Sequence, residues 1–368
     1  MTQSSSLVVT PAELELQSKR LGDQVLVEAV AQSSLQSIQA LLILSNLDSG
    51  VGNLSKFWNL IALCKRVSTL GGSWNPTNPS PDITAVLPCS DSIWAFPEHI
   101  INIWSIGDFY FSSAFSLCII LATSELLHVH RLLQQPLDLR NPEQKSRFQA
   151  ESQQVDERLT TWRAEFVAAV YRLINTEHAQ EERAEMDPNI VLTNCILDSA
   201  VITLFQKLSP CPTGIDSVCD PWTYATNRCV YAADDLSAKI RLVRDAELDA
   251  MSNPHLASTL FVAARFYLVY ARAVSAEPPR NLTVLIQALE VCGRRWLVAR
   301  RYATVVQTAK AEHQMPVFMS SLPAQFFDLQ FSVLDTHDAL LVAAEGIDAG
   351  LGVEIGIGGS CDLVEGTV

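Results

Sequence analysis

The sequence predicts an all-α fold, a large irregular helical bundle with a disordered acidic C-terminal tail. Three observations carry this. Helix-start signals recur, apolar residues recur at steps of three and four, and no alternating strand pattern competes with them. Thr10-Pro11-Ala12-Glu13 reads as a capping box with proline at the first helical position, and Asn141-Pro142-Glu143-Gln144 repeats the device. From Ser152 the apolar residues run Val155, Leu159, Trp162, Phe166, Val170 and Leu173, one stripe with Arg158, Arg163, Glu165 and Arg172 outside it. Leu54, Phe57, Trp58, Ile61, Cys64 and Val67 form a second stripe. Cys229, Ala232, Leu236, Ile240 and Val243 form a third, and Leu285, Ala288, Cys292, Trp296 and Ala299 a fourth.

Leu35–Leu44, Ile190–Leu208 and Leu256–Val274 are apolar nearly all round, the pattern of helices in the middle of a bundle. Proline- and glycine-rich breaks fall at 71–81, 135–142, 209–221 and 275–281. No repeat period of a helical solenoid is present. Residues 1–315 are read as one helical domain. From 316 to 368 there are eight acidic residues and no Lys or Arg, so this stretch is read as a partly disordered acidic–hydrophobic tail ending in the glycine-rich run GLGVEIGIGG.

Composition narrows the function classes. Hydrophobic residues make up 48% of the 368 and charged residues 18%, enough to bury a core. The formal charge of −14 repels a phosphate backbone, so no direct specific DNA binding by this chain is expected. The nine cysteines stand singly, the nearest pair being Cys211 and Cys219 with seven residues between them. Without a secretory signal at MTQSSSLVVTPAE, this usage predicts reduced, buried thiols and a protein that is not secreted. Phe109–Thr123 is apolar but only fifteen residues long, short of the roughly twenty that span a bilayer, so no membrane partner is expected.

SLQSIQALLILSN (34–46) followed by GVGNLSKFWNLIALCKRVSTLG (50–71) pairs two apolar helices across a glycine-containing loop. DITAVLPCSDSIWAF (82–96) follows, then SLCIILATSELLHVHRLLQQP (116–136) and LTTWRAEF (159–166). CVYAADDLSAKI (229–240), SNPHLASTLFVAARFYL (252–268) and LEVCGRRWLVARRYA (289–303) close the series. Over residues 30–310 this succession resembles the fungal-specific transcription factor domain, the middle homology region of binuclear zinc-cluster regulators. The resemblance implies a nuclear regulatory domain acting through a small-molecule effector, a coactivator or a related regulator. The family's zinc cluster needs six closely spaced cysteines, and its arginine-rich aromatic motif is replaced here by GGSWNPTNP. The chain is therefore expected to be a truncated or degenerate member, or the product of an incomplete gene model. Zinc is expected only in the missing DNA-binding domain of the parent family, with no cofactor in this chain. A small apolar or amphipathic effector is expected in an interior cavity between the apolar helices.

An enzymatic reading finds little support. Terpene synthases need carboxylates one helical turn apart to hold magnesium; Asp234-Asp235 is the candidate, and Ala238 and Lys239 stand where further acids are needed. The pair reads as a solvated helix face. His128 and His130, two apart on a helix, point in different directions and do not converge on one ion. No GxSxG, P-loop or helix-opening GxGxxG is present. Arg294, Arg295, Arg300 and Arg301 read as a solvated basic face around Trp296. The alternative that remains is a helical enzyme of secondary metabolism without a recognisable active site.

The tail carries the candidate site. Phe326, Phe327, Asp328, Phe331, Leu334 and Asp335 alternate acids with bulky apolar groups, the composition of an activation segment that folds on a coactivator. The competing reading is an amphipathic helix packed on the bundle, because Phe327, Leu334 and Leu341 are spaced by seven.

The scattered cysteines lead to a first prediction. The purified chain is expected to hold no stoichiometric zinc, and metal analysis finding one or more tightly bound ions per chain would contradict it.

Overall fold

A computed structural model describes residues 17, 20–27, 35–70, 115–134, 141–177, 188–209 and 221–357. The fold is all-α, with no strand among the described residues. Two compact units are present, residues 1–84 and 85–368. The division expected at 315 falls inside the second unit.

In the first unit, α1 (Leu35–Val51) and α2 (Leu54–Leu70) form a helical hairpin. Its turn is sharp because Gly52 takes φ 90°, a conformation that a side chain disfavours. There Gly52 and Asn53 donate backbone N–H bonds to Ser49 and Asp48. The Asn53 side chain then accepts from the Lys56 N–H at 3.1 Å, so one helix is closed and the next opened within two residues. Leu41, Leu60 and Cys64 make its core, with Leu26, Leu44 and Leu63 against them. The expected capping box at Thr10 and the segments 71–81 and 82–96 lie outside the described residues.

The second unit contains α3 (Phe115–Leu133), α4 (Pro142–Glu177), α5 (Pro188–Phe205), α6 (Pro221–Leu242), α7 (Asp245–Met251), α8 (Pro254–Ala273), α9 (Asn281–Gly293), α10 (Leu297–Ala311) and α11 (Val333–Ile357). Helix α5 packs against α3, α4, α6 and α8, and every residue from Ile190 to Phe205 is buried. Pro188–Leu208 is long and apolar enough to cross a membrane by length and composition, but 78% of it is buried inside the protein. It is the centre of the core.

Helix α4 starts as expected: the Asn141 side chain accepts from the N–H groups of Glu143 and Gln144 at 3.0 and 3.3 Å. Its buried stripe includes Phe148, Leu159 and Phe166. Arg163, placed outside the stripe by spacing alone, turns inward instead. Its guanidinium donates to Asp198 on α5 at 2.6 Å and to Asp235 on α6 at 3.1 Å. Lys239 binds the same two carboxylates at 3.1 and 2.5 Å. Two cations thus face two anions where α4, α5 and α6 meet. Burial pushes the Asp198 carboxyl up, while Arg163 and Lys239 pull it down. A second α4–α6 link joins Asp156 to the Arg228 guanidinium and to the Tyr224 hydroxyl.

The two carboxylates of Asp234-Asp235 are therefore not simply solvated. Asp235 belongs to the charge network, and Asp234, although exposed, accepts from the Tyr267 hydroxyl at 2.6 Å and the Asn281 amide at 2.8 Å. The arginine cluster is likewise partly engaged. Arg295 donates to Asp249 at 2.7 Å and Arg301 pairs with Glu345. Trp296 donates its indole N–H to the Ser252 carbonyl at 3.0 Å. Gly293 ends α9 so close to α10 that a Cβ there would lie 3.0 Å from the Arg300 Cα.

The acidic C-terminal segment joins the same core. After α10, 3-10 turns at Val317–Met319 and Ala324–Phe327 lead into α11, which runs through Ile357 into the glycine-rich stretch; residues 358–368 lie outside the described residues. Phe326, Leu329, Leu340, Leu341 and Ala344 are buried with α8 and α10. Phe261 of α8 stacks on Tyr302 of α10 at 4.1 Å and meets Phe326 at 6.4 Å. The Tyr302 hydroxyl shares a 2.8 Å hydrogen bond with His337 Nδ1.

One side chain fastens this segment. Arg265 of α8 is 1% exposed. Its Nε donates to the Phe326 carbonyl (2.9 Å), Nη1 to that of Phe331 (2.8 Å), and Nη2 to those of Gln325 (3.0 Å) and Asp328 (2.7 Å). Burial lowers the guanidinium to about 10, with Asp328 and Asp335 pulling it up, so it remains charged at neutral pH. Replacing Arg265 with Met removes one donor from each of four carbonyls, of which Gln325 and Asp328 keep a backbone N–H. The expected loss is about 3–5 kcal/mol, read by urea denaturation. A loss under about 1 kcal/mol would show that these bonds do not hold the segment.

Candidate functional site

The structure separates the six residues of the candidate activation segment. Phe326 is fully buried against Phe261. Docking Phe326 in a partner's groove would first require this segment to leave the core. Phe327 is half-buried, its ring edge-on to Phe326 at 5.0 Å and covered by the Arg272 guanidinium at 4.6 Å. Asp328 is exposed, yet its carboxylate accepts the Gln330 N–H at 2.8 Å and closes the turn. Asp335 is also exposed and completes a reciprocal cap with Ser332. The Ser332 N–H donates to its carboxylate at 2.7 Å, and the Asp335 N–H donates to the Ser332 hydroxyl at 3.3 Å. Phe331 and Leu334 remain at the surface, 40% and 47% exposed.

Helix α11 sorts its residues by face. Val333, Thr336, His337, Leu340, Leu341 and Ala344 are buried. At 3.6 residues per turn, Leu334, Asp335, Asp338, Val342 and Glu345 fall on the opposite arc, and all five are exposed. Val342 is 68% exposed. With Phe331 just before the helix, this arc presents three apolar groups among three carboxylates. Val342 and Glu345 were not among the expected site residues; continuing the helical spacing beyond Asp338 would have found them.

A second feature lies where the C-terminal ends of α8 and α10 come together. Arg272, Ser275, Ala276, Glu277, His313, Gln314, Met315 and Pro316 line a cleft of about 440 Å³. It is an open surface cleft, unlike the interior cavity expected between the apolar helices. The loop beyond α10 is held in place from several sides. His313 Nε2 donates to the Ala276 carbonyl at 2.9 Å, and the Gln314 amide to Glu277 at 3.0 Å. Glu312 accepts from the Ser320 and Ser321 hydroxyls at 2.5 and 2.7 Å and from the Ser321 N–H at 3.1 Å. Burial pushes the Glu312 carboxyl up, but those hydrogen bonds win and hold it below its ordinary value.

Two surfaces with different chemistry, an acidic–apolar helix face and a small cleft of mixed polar and apolar lining, are thus on view. The chain is 32% identical, over 369 residues, to a notoamide biosynthesis cluster transcriptional coactivator of Aspergillus versicolor. The similarity covers 86% of this chain and 62% of that relative, so the chain spans less than two thirds of the relative's length. No family model matches the chain, and no solved structure matches it.

No group of three or more His, Cys, Asp or Glu side chains suited to a metal ion is found among the described residues. Cys64, Cys195, Cys229 and Cys292 are buried and not in disulfides. Burial pushes all four upward, Cys292 to about 12, so none is a ready thiolate.

The split of the tail residues is testable by stability alone. Phe326→Ala is expected to cost about 3–5 kcal/mol. Phe331→Ala and Leu334→Ala, on the exposed arc, should each change stability by under about 1 kcal/mol. Thermal melts in which all three behave alike would contradict the placement.

Proposed function

We propose that this chain is a transcription-regulatory protein that works as a coactivator through contacts with other proteins. The observation that carries the reading is its similarity, over 86% of its length, to a relative named as a transcriptional coactivator of a biosynthesis cluster. The finer reading follows the resemblance noted above. The helical bundle is of the fungal zinc-cluster regulators' middle-region type, acts in the nucleus, and serves as a receiving platform for a related regulator or a coactivator complex. These residues do not read DNA themselves. A net charge of −14 opposes the phosphate backbone, and Arg295 and Arg301 of the best basic cluster already face Asp249 and Glu345. The similarity favours regulation over catalysis, and no particular observation favours a helical enzyme.

Coactivation needs a surface that a second protein can read. The outer arc of α11 supplies one that the folded protein offers without unfolding. Phe331, Leu334 and Val342 are apolar anchors, and Asp335 and Asp338 give them an acidic rim, with Glu345 beside them paired to Arg301. Such a face suits a partner groove that is apolar at its floor and basic at its edge. It revises the expected activation segment: the segment acts as a folded helix face, with Phe326 and Phe327 serving as its foundation.

The test fuses the full chain to a heterologous DNA-binding domain with a reporter. The fusion is expected to activate, and the combined Phe331→Ala, Leu334→Ala and Val342→Ala variant should lose most of that activity at an unchanged melting temperature. A silent fusion would overturn the coactivator reading. An active fusion indifferent to the triple substitution would overturn the assignment of α11 while leaving coactivation standing.

A further inference from the structure

Helix α4 runs for 36 residues, yet among its described side chains only Phe148, Ser152, Asp156, Leu159, Phe166 and Ala169 are buried. They form one narrow stripe, joined by the half-buried Val155 and Trp162, and two of the six are polar. Beneath lies α5, buried at every residue from Ile190 to Phe205. A helix with few buried apolar side chains over a tightly packed one is where local opening costs least.

Polar contacts supply much of the attachment. Arg158 donates to Glu125 of α3 at 2.7 Å, and Asp156 accepts from Arg228 and Tyr224 of α6. Arg163 reaches Asp198 and Asp235. On the inner side, Ser152 Oγ and Gln149 Nε2 are shut off from solvent and have no hydrogen-bond partner among the described residues. Closure costs these two groups their water, and opening returns it.

The charge network divides along the same line. Asp198 is the buried acid at risk, and its two counter-cations come from different helices. Arg163 belongs to α4. Lys239 belongs to α6 and binds both Asp198, at 3.1 Å, and Asp235, at 2.5 Å. When α4 leaves, Asp156, Arg158 and Arg163 pass into water with it, while Lys239 stays on both remaining acids. Glu125 and Arg228, uncovered by the departure, meet water themselves. No charge is left buried and alone, which is the state that makes breaking an internal ion pair costly.

We propose that α4 is a latch. It lifts from α5 as a unit, in advance of global unfolding, and gives access to the apolar face beneath. That face carries Asp198 and is flanked by Glu125 and Asp235. The latch stands whether or not the protein is a coactivator.

Native-state hydrogen exchange of the full chain, under conditions where rates report opening free energies, is the test. The slowest amides of α4 between Val155 and Phe166 are expected to exchange at least about a hundredfold faster than the slowest of α5 and α6. Two variants locate the split. Arg163→Met loses contacts made only in the closed state, so it should speed α4 and the core alike. Lys239→Met loses contacts kept after α4 lifts, so it should speed the core several-fold and leave α4 no faster than before. Exchange of α4 in step with α5 in the unsubstituted chain would overturn the latch. So would a Lys239→Met variant in which α4 speeds up as much as α5.

Discussion

The C-terminal third of the second unit depends on one buried guanidinium. Arg265 lies on a helix otherwise lined with Leu, Phe, Ala and Val, where a charge taken out of water would cost several kcal/mol if unpaired. Among the described residues no carboxylate forms an ion pair with it. Four backbone carbonyls hold it instead, from Gln325, Phe326, Asp328 and Phe331. The Gln325 and Asp328 carbonyls each also accept one backbone N–H, from Asp328 and Phe331, and the guanidinium fills remaining acceptor capacity along the whole stretch, so donor and acceptors satisfy one another. A lysine could not reach four acceptors spread over seven residues; the planar fork of arginine can. The geometry of 325–331 is thereby specified, and with it the point where α11 begins.

The same logic governs the centre of the bundle. Asp198 is the one acid in α5, buried on every side, and it is tolerated because α4 contributes Arg163 and α6 contributes Lys239. Apolar packing alone would leave the rotation of three neighbouring helices loosely defined. Four charges that must meet define it. Removing either cation leaves the buried Asp198 with only one of its two counter-charges, a loss that can exceed the net worth of the network.

These two features also mark what could be read in the sequence. The helix starts, the stripe of α4 and the central position of α5 follow from local spacing, which obeys the 100° advance of a helix whatever surrounds it. The inward turn of Arg163 does not, because it depends on which helices flank α4. A single charge inside an apolar run, Asp198 or Arg265, was nonetheless a visible sign that a partner had to exist. In the tail, the spacing of Phe327, Leu334 and Leu341 pointed to one packed face. Phe327 ends a 3-10 turn outside the helix. Seven residues fall about 20° short of two turns, so Leu341 rotates into the core while Leu334 stays at its edge, 47% exposed. The cleft was not legible at all. Arg272 and Gln314 are far apart along the chain, and nothing local announces that two helix ends will converge.

The staple at Arg265 lies between the cleft and the outer arc of α11 along the chain, and this bears on how the two could communicate. Phe327 supports Arg272 at the cleft, while Phe331 leads into the arc. A shift at the cleft would reach α11 by moving residues 325–331, and four hydrogen bonds to one immobile guanidinium resist that movement. Sites joined through a rigid, fully satisfied segment have no second arrangement to choose, and without two arrangements there is no coupling free energy to transmit. Any shift at the cleft must therefore break bonds at Arg265 before it can displace α11. The cleft and the acidic helix face thus rest on one core, joined along the chain by the segment whose four carbonyls Arg265 holds.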